Sequence, residues 1–327
     1  MIVSATLLIY ALIMGWLTPC LVRRSTFLER NPRLKLMLWQ ALAVSMLTAT
    51  VLAGVALAVP TSTLSTSLSE LLSACVMAIR AQYATPGGAV GGGLGLVLVA
   101  AVIARAATVA TTSLWSTRSA RNTHRDALAI LGRSRADLGV TVIEDTNPTA
   151  YCLPGHHRQI VVTSGALKSL DDSQLAAVLA HERAHLAARH HLPVDFAVAL
   201  THAFPFVPLF REAASEASRI VELLADDAAS RATGRRPVAT ALVALASGPT
   251  PAAALAAGGA DAVVRVERMM HPRRPLGVIA TGVVAIVALL TLSVPFVIAA
   301  GPAAAATHMN LCPLDPAPVL GATSFDE

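Results

Sequence analysis

The chain has 327 residues, of which 54% are apolar and only 14% charged, with a formal net charge of +5. Soluble domains carry about a quarter charged residues, so the composition excludes an ordinary soluble enzyme and points to a membrane protein. The pI near 9.4 comes with 4% aromatics and no nucleic-acid reader motif, which argues against a direct nucleic-acid partner.

Four apolar stretches are long enough to cross a bilayer, which takes about 20 residues of helix. The first, Ile2 to Val22, is uncharged; no Lys or Arg precedes it and Arg23-Arg24 follow, so it reads as a retained anchor and not a signal peptide. The second runs from Leu36 to Pro60. Residues 61–88 then form an outer loop in which Leu64, Leu68, Leu71, Leu72, Cys75 and Ile79 recur at helical spacing. This predicts an amphipathic helix on the membrane face or over the bundle. Glycines between 87 and 95 offer either close helix packing or a flexible lead into the third span, about Ala89 to Ser113, which carries Arg105. The fourth span covers Leu276 to Ala300, and residues 301–327 follow as a short tail.

Basic residues predict the topology. Of the 25 Lys and Arg, 23 lie in the loop "RRSTFLERNPRLK" or between Ser116 and Pro275. The positive-inside rule makes that side cytoplasmic, with both termini outside an inner or plasma membrane. Cys20 then sits in a span and Cys152 on the reducing side. Cys75 and Cys312 share the outer side, where they could pair or remain a buried thiol and a tail cysteine.

Residues 116–275 are one domain in size. Arg121 to Arg135 reads as a helix, Gly139 to Asp145 and Gln159 to Thr163 as strands, and Thr149 to Leu153 as an extended piece between turns at Asn147-Pro148 and Pro154-Gly155. A helix capped by Asp171, Asp172 or Ser173 runs to about His190, where Pro193 stops it. Leu192 to Phe210, broken by prolines, is expected to dip toward the bilayer or pack in the core. "REAASEASRIVELLADDAASRATG" is a helix stopped by Gly234, and alanine-rich helices lead to a basic collar from Arg265 to Arg274. The fold class is thus a mainly α membrane protein with four transmembrane helices and an α+β cytoplasmic domain holding a small sheet.

"LAAVLAHERAHLAARHH" carries the chemistry. His181 and His185 stand four apart, so both rings leave one helix face, a spacing that suits two nitrogens on one zinc. Glu182 beside them can take a proton from a metal-bound water. The bland reading is an alanine-rich helix with solvated histidines near its C-terminus. In "VELLADDAA", Glu222 would be the third ligand and Asp226 would accept the second ring N–H of a zinc histidine. The alternative is a surface acidic pair beside Arg219 or Arg231.

The segments "NPTAYCLPG", "QIVVTSGAL", "QLAAVLAHERAHLAARHH", "ELLADDAA" and "RVERMMHP" together resemble the gluzincin membrane metallopeptidases. The likeness is closest to the BlaR/MecR-type sensor-transducer proteases and their HtpX- and prenyl-protease-like relatives, and it covers about Arg121 to Pro272. The resemblance implies a zincin-like domain with one Zn2+ on His181, His185 and Glu222, Glu182 as base and Asp226 behind the ligands. It further implies that Thr149, Ala150, Tyr151, Cys152 and Leu153 form an edge strand that pairs with substrate, its turn anchored by Asn147. No serine-xx-lysine motif follows Ala300, so direct covalent sensing of a beta-lactam is not expected, and a signal would come from a partner, the outer loop or the bilayer.

The expected activity is zinc-dependent endoproteolysis of a cytoplasmic protein, a transcriptional repressor or the chain itself, in signal transduction. Membrane-protein quality control and a non-catalytic zinc-stabilised scaffold are the alternatives. Expected partners are the protein substrate and the lipid bilayer, with the oligomeric state open. His190 and His191 read as a frayed helix end, or else as residues bordering the site. His202 reads as a core or site-lining histidine, and His156 and His157 as loop residues. Cys152 lacks a legible histidine partner for a nucleophile role.

Overall fold

The computed structural model describes residues 2–25, 27–59, 77, 80, 83–155, 158–246, 262–271, 274 and 276–309. The expected outer helix, the Cys75–Cys312 pair, His156, His157 and the tail beyond residue 309 lie outside the described residues.

Four helices are long and apolar enough to cross a membrane. The first combines α1 (Ile2–Trp16) and α2 (Thr18–Arg24). The second is α3 (Pro32–Ala58), opened by Pro32 in the first turn and by Asn31, whose side chain accepts from the Leu34 N–H at 3.3 Å. The third is α4 (Pro86–Leu131), and the last, α11 (Val278–Met309), is numbered after the intervening elements given below. Polar ties cross the bundle where the hydrocarbon leaves no other partner. Ser45 Oγ donates to the Thr291 carbonyl at 2.6 Å, and Tyr10 Oη lies 2.8 Å from Ser45 Oγ. Gly54 and Gly95 let α3 and α4 touch, since a Cβ on Gly95 would fall 2.5 Å from the Gly54 carbonyl oxygen.

Helix α4 corrects the expected boundary between span and domain. The sequence suggested a span ending near Ser113 and a separate helix from Arg121 to Arg135. Instead one helix of 46 residues continues to Leu131, because neither proline nor glycine interrupts it between Gly95 and Gly132. Residues 133–135, expected to be helical, pair as strand β1 after Gly132.

The sheet is small and mixed, in the order β1-β2-β4-β3. β2 (Val140–Ile143) pairs with β1 antiparallel and with β4 (Gln159–Thr163) in parallel, while β3 (Ala150–Leu153) pairs antiparallel with β4 alone and forms an edge. Buried Thr163 fixes the turn before β3: its hydroxyl donates to the Asn147 carbonyl at 2.7 Å and accepts from the Thr149 N–H at 2.9 Å. Helices α5 (Ser164–Ser169), α6 (Asp172–Ala187), α7 (His191–Ala203), α8 (Pro208–Thr233), α9 (Arg235–Ala246) and α10 (residues 262–270) complete the segment. Asp171 is the N-cap of α6, in a reciprocal capping box with Gln174. Val140, Ile160 and Val162 of the sheet pack with Val178 and Leu179 of α6 and Ala241 of α9 in one core.

A second core joins this segment to the spans. Leu200, Val207, Leu209, Phe210, Ala213 and Ile220 cluster with Leu7, Trp39, Leu42 and Met46. Beside it lies a charged knot. Lys35, 1% exposed, reaches Glu29 at 2.6 Å and Glu216 at 2.7 Å, and Arg219 reaches the same carboxylates at 2.7 and 3.0 Å. Burial alone would raise the pKa of Glu29 and Glu216, but Arg219 and Lys35 outweigh it and hold both below the ordinary carboxylate value. Lys35 is therefore a buried strut between α3 and α8 and not a solvated member of the basic loop. Lys35→Met should destabilise the protein by about 2 kcal/mol in a detergent thermal scan, because two half-buried carboxylates lose a donor while Arg219 still shields them.

Candidate active site

Helix α6 carries His181 and His185, and α8 packs across it carrying Glu222 and Asp226. The two Nε2 atoms stand 3.1 Å apart. Glu222 offers Oε2 at 3.3 Å to His181 Nε2 and Oε1 at 3.4 Å to His185 Nε2. These three side chains form a group whose ligand atoms all lie within 4.8 Å of one another. Corners of a tetrahedron drawn at zinc–nitrogen bonds of about 2.0–2.1 Å lie about 3.3–3.4 Å apart. The two ring nitrogens are slightly closer than that, and each has one or the other Glu222 oxygen at 3.3–3.4 Å, so the donor set fits a zinc ion.

Behind the ligands each imidazole has its own partner. Asp226, fully buried, takes the Nδ1–H of His181 at 3.0 Å, which leaves Nε2 facing the triad. Burial disfavours a charged His181 ring, but hydrogen bonds and charge from Asp226 and Glu222 outweigh it and hold its pKa up to about 9. Burial pushes His185 the other way. His185 Nδ1 lies 3.2 Å from Nδ1 of His190.

His190 thus departs from the frayed-end reading. Arg189 adopts φ 52°, a left-handed conformation that ends the helix turn and swings His190 back onto the His185 ring. His190 is only 7% exposed. Burial lowers its pKa, so a neutral ring is available to accept the His185 Nδ1–H. His190→Ala should weaken zinc binding about tenfold in a competition titration with a chromogenic chelator, with the fold retained.

Arg265 of α10 was missed by the sequence reading, which took it for part of a membrane collar. It grips Asp226 with Nε to Oδ2 and Nη2 to Oδ1, both at 2.7 Å, and extends Nη1 to Glu222 Oε2 at 3.2 Å. Arg268, one turn on, pairs Asp227 in the same two-pronged way at 2.7 and 2.9 Å. The signal was present: adjacent Asp226-Asp227, one of them on the buried face of the helix, need cations, and Arg265 and Arg268 share one face at i, i+3.

Glu182 sits next to the ligands with its pKa raised by burial. The thiol of Cys152, from edge strand β3, donates to its carboxylate; burial and the Glu182 charge push that thiol up to about 12. Cys152 therefore remains protonated near neutral pH, which removes the thiolate a nucleophile would need. The other strand residues are placed as follows. Ala150 and Leu153 pair with Val162 and Gln159, Tyr151 Oη meets His124 Nε2 of α4 at 2.7 Å, and Thr149 precedes the first pair. Asn147 is held through its backbone, donating to Asp145 Oδ1 at 2.9 Å and accepting from Thr163. His202 is not a member of the ligand group. Its carbonyl accepts from Arg105 at 3.2 Å, and its residue lines a cavity between α4 and α7, as does His191.

No curated protein and no solved structure matches the chain. Residues 115–204 match the model of Peptidase family M48, a stretch that contains the sheet, the His181–His185 helix and α7 but ends before Glu222 and Asp226. That match, on a chain with four apolar helices of membrane-crossing length, supports a membrane-associated metallopeptidase.

Proposed function

We propose that the chain is a zinc-dependent membrane endopeptidase. The observation that carries the reading is the triad of His181, His185 and Glu222, its donor atoms close enough to share one metal ion, with Glu182 beside it and an edge strand alongside. Zinc held by these three side chains would supply a Lewis acid for the peptide carbonyl and make water acidic enough to ionise near neutral pH. Glu182 takes the proton of the attacking water, and its burial raises its basicity toward the working pH. Oxygen–carbon bond formation is followed by cleavage of the carbon–nitrogen bond, and Glu182 returns the proton to the leaving amine. Extended substrate backbone adds to the free edge of β3, next to Cys152 and Glu182. Asp226 and Arg265 keep His181 and Glu222 aimed.

By the distribution of basic residues the reaction occurs on the cytoplasmic side, and the substrate is a cytoplasmic protein such as a repressor, the chain itself, or both. The test uses the full chain in detergent with a denatured model protein and mass spectrometry of new N-termini. Chelation should stop cleavage, and one equivalent of zinc should restore it. Cleavage that persists in the chelated protein overturns the mechanism. A zinc-loaded protein that cleaves neither the model protein nor itself would favour the scaffold alternative. New N-termini confined to misfolded membrane proteins would favour quality control.

A further inference from the structure

Between α4 and α7, with Pro154, Arg158 and Leu186 also on its walls, lies an open cavity of about 1130 Å³, above the about 300–1,000 Å³ common for small-molecule sites. Two contacts fix the helix directions. Arg105 donates to the Ala203 carbonyl at 3.0 Å, and Arg121 reaches Asp195 at 3.1 Å, so α7 runs antiparallel to α4. The gradient from apolar to basic lies on α4, since the lining of α7 keeps His202 at the apolar end and Leu192 and Phe196 toward the arginines. Ala110 and Leu114 of α4 lie level with Val198 and Ala199 of α7, while Arg118 and Arg121 lie toward the other end with Arg189. Of five arginines lining the cavity, only Arg121 is engaged by Asp195, the one carboxylate among the described lining residues.

The gradient is aligned with the bilayer. Trp115, 78% exposed, stands where the apolar part of α4 ends, the position that tryptophan favours at a membrane interface. Arg118 and Arg121 follow about 5 and 9 Å further along the axis, at the level of lipid headgroups.

We propose that this cavity binds an anionic phospholipid, with the phosphate at Arg118, Arg121 and Arg189 and acyl chain against Leu114, Val198 and Ala199. An acidic peptide would match the arginines but would leave the apolar half without a partner. The lipid satisfies both halves.

The test measures binding of dioctanoyl-phosphatidylglycerol to the full chain in a neutral detergent by native mass spectrometry, beside dioctanoyl-phosphatidylcholine, inorganic phosphate and an octaglutamate peptide. Phosphatidylglycerol should bind most tightly. The pair Arg118→Gln and Arg189→Gln should weaken it about 30-fold, each arginine contributing about fivefold near a membrane surface. Ala199→Trp, which fills the apolar half and changes no charge, should also displace it, with the thermal midpoint of the free protein confirming the fold of each variant. Equal binding of phosphatidylcholine, displacement by inorganic phosphate at the same concentration, tighter binding of octaglutamate, or unchanged affinity in the arginine pair would each overturn the proposal.

Discussion

Glu182→Gln should lower peptide cleavage by about 10²- to 10⁴-fold while the zinc content stays at the parental level. The two effects separate because Glu182 lies outside the ligand group yet beside it. Glutamine keeps the shape of the side chain and can still accept from the Cys152 thiol, but it cannot take a proton from water. Zinc content measured by elemental analysis on the same preparation makes the result specific to the base. A variant that cleaves at the parental rate would remove Glu182 from the mechanism, and one that loses zinc would make it a structural residue. Cys152→Ala provides the contrast. Its thiol is held near 12 and makes no ligand, so its loss should change the rate by no more than about threefold. A large loss on Cys152→Ala would return that thiol to the chemistry.

Arg265→Leu should cost about 3 kcal/mol of stability and weaken zinc binding by about 10- to 100-fold. The guanidinium satisfies both oxygens of a carboxylate with no solvent access and steadies Glu222, the proposed third zinc ligand, with its third nitrogen. Leucine fills most of the volume but leaves Asp226 charged and half-paired. Asp226 then retains only His181, and its pKa, now well below the ordinary value through Arg265 and His181, should rise. Arg265→Leu combined with Asp226→Asn should cost less than the sum of the single changes, because the double variant removes both charges together. Thermal scans and chelator titrations on the four proteins measure the coupling. Additive losses would show that Arg265 stabilises α10 independently of the site.

The His181, His185 and Glu222 grouping was legible because its logic is local. Four residues make about one helical turn, so His181 and His185, and likewise Glu222 and Asp226, announce shared faces in any sequence. The extended piece was legible from the turns around it, and Ala150–Leu153 forms an edge of the sheet with Cys152 against Glu182. Residues that depend on distant partners were not. Lys35 and Arg265 look like membrane-flanking cations until folding brings Glu216 and Asp226 to them. His190 was obscured by a backbone event, since Arg189 takes a left-handed conformation that sequence rules assign to glycine or asparagine. The strand at residues 133–135 was lost to a helical pattern that ends only at Gly132.

The unbroken α4 has a mechanical consequence. Its first half is apolar and of membrane-crossing length, and its other end meets the sheet where a Cβ on Gly132 would strike Thr141. From Ser113 to Leu131 the helix extends about 27 Å. A rod of that length turns each degree of tilt in the bilayer into about 0.5 Å of sideways travel at the sheet. A few degrees, the ordinary response of a helix to a thicker or thinner membrane, is therefore comparable with the tolerance of a hydrogen bond such as His124–Tyr151, which couples α4 to the edge strand. A membrane that tilts α4 would be expected to move its contact with the strand beside Glu182.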